Sequence, residues 1–305
     1  MSTESASNSP SEPVKGLPPV HAPSGRHIVQ LFLVPGLIVA GAVTILLGFS
    51  WLAGGSRTPD QFLKNIDSAN PDIRWRAASD LAQVLKRDDK LAADPIFALR
   101  LTQRFVKALD ELDRLEKARA ELPSEADKAD IATANKNVLA QRNYVQYLGA
   151  SLGNFSVPVS APVLVELART PRGHDEKQRV LMRRQAVWAL ANLGDGAHRY
   201  AKLNDAQKAD IIRKLEEEAK SENADSRRWA DAALGWLKEK HSLGVIPALA
   251  ECAKDERDMF LREQVALALN FWEGDADEQR LAEQTLLTLA GDSGRGVWFE
   301  IEDDK

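Results

Sequence analysis

The chain of 305 residues contains a single cysteine, Cys252. One thiol closes no internal disulfide and builds no cysteine-based metal site. Histidine is also scarce. Of His21, His27, His174, His198 and His241, no two stand at the i, i+4 spacing that sets two imidazoles on one helix face. The nearest approach to a site is "GHDE" at residues 173–176, which reads as a solvated turn. No phosphate-cradling glycine loop, dinucleotide fingerprint or nucleophile elbow occurs. Cys252 falls on an apolar helix face beside Leu249 and reads as a small buried hydrophobe. No catalytic residue, cofactor or metal is therefore expected. A basic excess is missing too: the formal net charge is −5, which argues against nucleic acid as a partner. Aromatic residues make up only 6%, while alanine and leucine are plentiful, a balance that favours helices over strands.

What is present divides the chain into parts. Residues 1–27 are rich in serine and proline and have little to bury, which predicts a disordered tail. From Ile28 to Ser56 there is no charged residue, and Arg26 and Arg57 flank the run. A bilayer core of about 30 Å needs about 20 helical residues, so a single transmembrane helix is expected over 28–55. A secretory signal would have a shorter apolar region, about 7–15 residues, behind a basic start. Lys15 and Arg26 precede the run, and Arg57, Lys64, Arg74 and Arg76 follow it. The positive-inside rule then leans toward a cytoplasmic body, although a tail with so few charges suits either side.

From residue 58 to 290 the apolar residues recur at helical spacing between short polar breaks. Two stretches share a skeleton: "NPDIRWRAASDL" from Asn70 and "NADSRRWADAAL" from Asn223. Taking the arginine as the anchor gives a register. Arg74, Arg142, Arg183, Arg227 and Arg262 are each followed by apolar residues at offsets drawn from 3, 6, 7 and 10, which make one stripe on one helix face. Shorter apolar segments lie between the anchors, around Phe62–Ile66, Ile96–Leu109, Val163–Leu167, Ile211–Leu215 and Val245–Cys252. The pattern is helix A, turn, helix B, turn. The anchors step by 68, 41, 44 and 35 residues. The long first step holds two extended helical patterns, 94–122 and 126–154, which predict one elongated, charged helical hairpin. The segment 276–290 suits a capping helix, and residues 291–305 form an acidic tail in which Trp298 and Phe299 could dock.

In these features the chain resembles the HEAT repeats, armadillo-type helical pairs of about 40–47 residues. Asp72 with Arg74, and Asp225 with Arg227, match the family's turn aspartate and early helix-B arginine. Arg183 keeps the arginine with an irregular turn, and Arg142 and Arg262 match mainly in apolar register. The chain is also similar to bacterial membrane-anchored HEAT-repeat proteins. The resemblance implies an all-α fold: an α-solenoid of about five helical pairs, each packing on its sequence neighbours. It further implies that Asp72, Arg74, Arg183, Asp225, Arg227 and Arg262 form the joints between repeats, with the aspartates bonding across and the arginines running along the stack.

Five tryptophans, Trp75, Trp188, Trp229, Trp236 and Trp272, fall in B helices. Trp272 is in the stripe and reads as core. Trp75 and Trp229 are off the stripe, so they either pack between repeats or lie on a partner surface. The function expected is a membrane-anchored scaffold for a protein or peptide partner, not an enzyme. A lyase-like enzyme or accessory of the same repeat group and a structural membrane spacer are the rival readings.

Overall fold

A computed structural model describes residues 29, 33–45, 58–123, 125–239, 242–254 and 258–291. It forms two compact units, residues 1–57 and 58–305. In the first, residue 29 and residues 33–45 are helical and exposed. Leu33, Leu37, Ile38, Val39, Val43 and Ile45 all face outward. No helix among the described residues is long and apolar enough to cross a membrane. The described part of the expected 28–55 span covers about 20 Å at 1.5 Å per residue, and its remainder lies outside the described residues. So do the tail 1–27 and all but the start of the tail 291–305.

The second unit is all-helical among the described residues. Its elements are α1 (Pro59–Ile66), α2 (Pro71–Leu85), α3 (Asp89–Ala92), α4 (Pro95–Ala120), α5 (Lys128–Leu152), α6 (Ala161–Arg169), α7 (Glu176–Ala201), α8 (Asp205–Glu218), α9 (Ala224–Glu239), α10 (Val245–Ala253), α11 (Met259–Phe271) and α12 (Ala276–Gly291). Five A/B pairs appear where the periodicity puts them: α1/α2, α4/α5, α6/α7, α8/α9 and α10/α11. Helix α12 follows.

Local chemistry starts many of these helices. The side chains of Asn70, Asp88, Asp94, Asp127, Asp175, Asn204 and Asp258 each accept a backbone N–H in the first turn, satisfying donors that a helix start leaves unpaired. Asn223 does the same for Ser226 N at 2.9 Å. Pro71 and Pro95 open α2 and α4, where a missing N–H costs nothing.

The apolar stripes then decide the packing. Helices α2, α5, α7 and α11 pack side by side in one layer. Side chains reach across each joint to backbone carbonyls. Ser151 Oγ donates to Ala78 O at 3.0 Å and Asn154 Nδ2 to Ala82 O at 3.1 Å. Gln185 Nε2 donates to Gln146 O at 2.6 Å, and Trp272 Nε1 to Leu190 O at 2.8 Å. At Gly153 a Cβ would lie 2.8 Å from the Ala189 carbonyl oxygen, so only glycine allows α5 and α7 to approach this closely. Among the A helices, Arg104 bonds Asp67 at 2.6 Å to join α4 to the end of α1. Arg169 and Glu251, 3.2 Å apart, join α6 to α10. Helix α12 packs on α10 and α11. One apolar cluster runs from Phe62 to Leu289, and each large side chain removed from water there contributes about 1.5–3 kcal/mol.

One feature departs from simple neighbour-on-neighbour stacking. The third pair packs directly on the fifth: α6 on α10, and α7 on α11. Arg184 of α7 forms an ion pair with Asp258 at the start of α11, both largely buried. The fourth pair, α8/α9, packs instead on α4, where Gln103 Nε2 donates to Ser226 Oγ at 2.7 Å. The 26 residues of α7 are the physical reason. Its last turns run on to the ends of α2 and α5, where Arg199 bonds the carbonyls of Leu85 and Asn154. The chain therefore leaves α7 on the far side of the stack, beside α4.

Tyr144, in α5, marks how dry the first joint is. Its hydroxyl donates to Ile66 O at 3.2 Å, and the Arg74 guanidinium lies 5.2 Å from its ring centre. Burial, opposed by Arg74 and Arg104, pushes its pKa up to about 12. The neutral phenol is thus favoured by folding. That contribution is complete below the free phenol value of about 10 and is lost as pH rises through about 12. In a difference titration of phenolate absorbance between the native protein and Tyr144→Phe, the missing step is expected near pH 12. A missing step near pH 10 would contradict this packing.

Candidate interaction site

The elongated hairpin α4/α5 and the turn before α7 meet at a pair of adjoining clefts. The smaller, about 400 Å3, is lined by Asp113, Glu116, Lys117, Ala120, Glu121, Gly173 and His174. The larger, about 470 Å3, is lined by Glu116, Val138, Leu139, Arg142, His174 and Gln178 among others. Glu116 and His174 belong to both.

Each side chain is placed by its element. Asp113, Glu116, Lys117 and Ala120 follow i, i+3, i+4, i+7 and so share one face of α4. Glu116 continues the buried row of Phe105, Leu109 and Leu112, and it is itself buried. It is held by Arg142 of α5, with Nη2 3.1 Å from Oε1. Arg119 Nε donates to Asn135 Oδ1 at 2.7 Å and fixes the outer part of the hairpin.

The opposite wall is the turn 170–175. Arg172 pins it to α4, with Nη1 2.6 Å from Asp110 Oδ1 and 3.2 Å from Asp113 Oδ2. Burial works against the charge of Arg172, and the two carboxylates overcome it, so its pKa stays above the ordinary arginine value. Asp113 fares differently. Burial raises its pKa, and the neighbouring Arg172 only partly offsets that rise. Gly173 has φ +149°, and a Cβ there would lie 2.8 Å from Gln178 Cβ, so the turn requires glycine. His174 N donates to Gln178 Oε1 at 2.9 Å, while Asp175 caps Gln178 N at 2.8 Å. The "GHDE" turn thus forms a wall of the cleft. Among the described residues no group of three or more His, Cys, Asp and Glu is arranged to hold a metal ion.

The joint residues make varied contacts. Arg183 Nε donates to Ala168 O at 3.3 Å, and Arg227 Nη1 to Ser221 O at 2.6 Å and Glu222 O at 2.8 Å. Both close the turn of their own pair. Arg262 Nη2 reaches onward to Leu289 O in α12 at 3.0 Å, and Arg74 reaches the Tyr144 ring of the next pair. Asp72 Oδ1 accepts from Trp75 Nε1 at 3.3 Å. Asp225 pairs with Arg228 at 3.7 Å. In these contacts the aspartates serve their own helices and do not bond across, since an exposed first-turn carboxylate is nearest its own helix start. Removing two carbonyl contacts from a charged, half-buried group makes Arg227→Ala lose about 1.5–3 kcal/mol. Asp225→Ala loses under about 0.5 kcal/mol, as expected for an exposed ion pair. Thermal unfolding of the two variants measures the difference, and equal losses would contradict these roles.

Trp75 is half-buried, stacked on Tyr147 with centroids 5.8 Å apart, and the Arg76 guanidinium lies 5.4 Å from its ring centre. Trp229 is 1% exposed. That removes it from any partner surface: one turn after Ser226, it lies on the side of α9 that bonds α4. With Ser226, Ala230, Ala233 and Leu234 it makes one broad buried face and forms the edge of that face.

No protein-family model matches the chain, and no curated protein matches it.

Proposed function

We propose that the chain is a scaffold of HEAT-like helical repeats, held at a membrane by residues 28–55, that binds a protein or peptide partner. The observation that carries the reading is the cleft between the α4/α5 hairpin and the turn 170–175. It is concave, lined by charged and amide side chains, and bordered by Leu139, which is 56% exposed. Such a mixture suits the polar, adaptable side of a protein interface. The layered helix pairs support the repeat reading. The uncharged run from Ile28 to Ser56 and the outward-facing apolar side chains of residues 33–45 support the membrane reading, because a bilayer is the solvent such a surface requires.

Proximity labelling from the C-terminus in intact cells tests partner and side together. A defined set of neighbours on the cytoplasmic side is expected. Labelling of outer-side proteins alone overturns the orientation, and labelling no different from that of a bare membrane helix overturns the scaffold.

A further inference from the structure

One row of side chains crosses all four helices of the B layer. At the start of α11, the Arg184 guanidinium of α7 stands 5.2 Å from the Phe260 ring centre. Beside Arg184, Gln185 Nε2 donates to Gln146 O of α5 at 2.6 Å. Beside Gln146, Tyr147 stacks on Trp75 of α2, and Arg76 stands 5.4 Å from that indole. Phe260, Gln185, Tyr147 and Trp75 are only half-buried, and Gln146 and Arg76 are exposed, so the row lies on the outside of the layer. It is aromatic toward both ends, carries amides in the middle and finishes in a cation. Arg76 has no carboxylate partner among the described residues: Asp72, one turn before it, takes the Trp75 indole N–H. Lys86, at the far end of α2, meets the Trp188 ring at 6.0 Å and no carboxylate among the described residues.

The chain itself continues beside the near end of this row. Helix α12 ends at Gly291, and Arg262, in the first turn of α11, holds its Leu289 carbonyl at 3.0 Å. After the link 292–296 come residues 297–304, "VWFEIEDD". Val297, Trp298, Phe299 and Ile301 are apolar, and the other four carry carboxylates without one cation among them. Packed helix axes lie about 8–10 Å apart, which sets α5 about 20 Å and α2 about 30 Å from α11. An extended chain advances about 3.3 Å per residue, so Trp298 and Phe299 reach about 25 Å from Gly291 and Glu302 to Asp304 about 35–45 Å.

We propose that residues 297–304 of this chain lie along the row, with Trp298 and Phe299 against Tyr147 and Trp75 and the carboxylates against Arg76. Ring contact and opposite charge act together there, and the Gln146 amide is open to an extended main chain. The segment covers the outer face of the B layer, so a partner of that face must displace it. The contact does not rest on the scaffold reading.

The test uses the full chain in detergent micelles at low salt. Arg76→Lys keeps the charge and adds an amine at the end of the row, which a zero-length carbodiimide joins to any carboxylate it pairs with. Ordinary and heavy-nitrogen copies are mixed before the reaction. Mass spectrometry is expected to find position 76 joined to Glu302, Asp303 or Asp304 within single chains, and Lys220, beyond α8, not joined to them. Links confined to unlike copies assign the segment to a second copy and overturn the intrachain contact. Links from position 76 to other carboxylates alone, or none, overturn it altogether. Hydroxyl-radical footprinting of the chain with Arg76 intact is the second measurement. Trp298→Ala with Phe299→Ala is expected to raise oxidation of Trp75 and Tyr147 severalfold. Equal oxidation with and without the two changes overturns the proposal, whether or not the link forms.

Discussion

Trp272→Ala is expected to lower stability by about 3–5 kcal/mol and to loosen the end of the molecule before the rest. Trp272 is 3% exposed. Its indole N–H holds the Leu190 carbonyl, and its ring lies against Gly194. The truncation opens a cavity and removes a second hydrogen bond to the Leu190 carbonyl at the joint between the third pair and the fifth. Native-state hydrogen exchange should therefore show protection falling first over residues 245–291, while α4 and α5 keep theirs. A loss under about 1 kcal/mol, or an even loss along the chain, would contradict the direct third-to-fifth contact.

Arg142→Ala carries the second large effect. It leaves Glu116 buried with no donor among the described residues. Breaking a buried pair from one side costs about 3–5 kcal/mol. The lower end applies here because Arg142 keeps 31% of its side chain exposed. The double variant Arg142→Ala/Glu116→Gln should recover part of the loss, since the stranded charge is gone, and the cycle isolates the pair. Denaturant unfolding of the four proteins provides the measurement. If the double variant is no more stable than Arg142→Ala alone, the charge of Glu116 is not what makes the single change costly.

Much of this fold is legible in the sequence because the controlling forces are local. The apolar stripes after Arg74, Arg142, Arg183, Arg227 and Arg262 mark helix faces, and the Asn70, Asp94 and Asn223 caps mark helix starts. The long step between Arg74 and Arg142 marks the hairpin. What could not be read is which face meets which. The fourth pair carries the same stripe as its neighbours, yet α7 overshoots and delivers it to α4. No residue within α8 or α9 announces that destination. Trp229 only widens the stripe of α9 at its edge, which says that the face is broad and not what covers it. The site was partly legible as well. "GHDE" and the charged hairpin stand out separately, but their meeting is a tertiary fact. Glu116 is legible by its register: an acid in line with Phe105, Leu109 and Leu112 signals a buried charge that needs a partner, which Arg142 supplies.

The most direct measurement of the scaffold claim is amine crosslinking of the full chain in its own membrane, read by mass spectrometry at Lys117, Lys136 and Lys177 around the hairpin and turn. The account predicts crosslinks from these lysines to one partner polypeptide in near-stoichiometric yield. Crosslinks confined to the chain itself, with lysines elsewhere equally reactive toward neighbours, would contradict it.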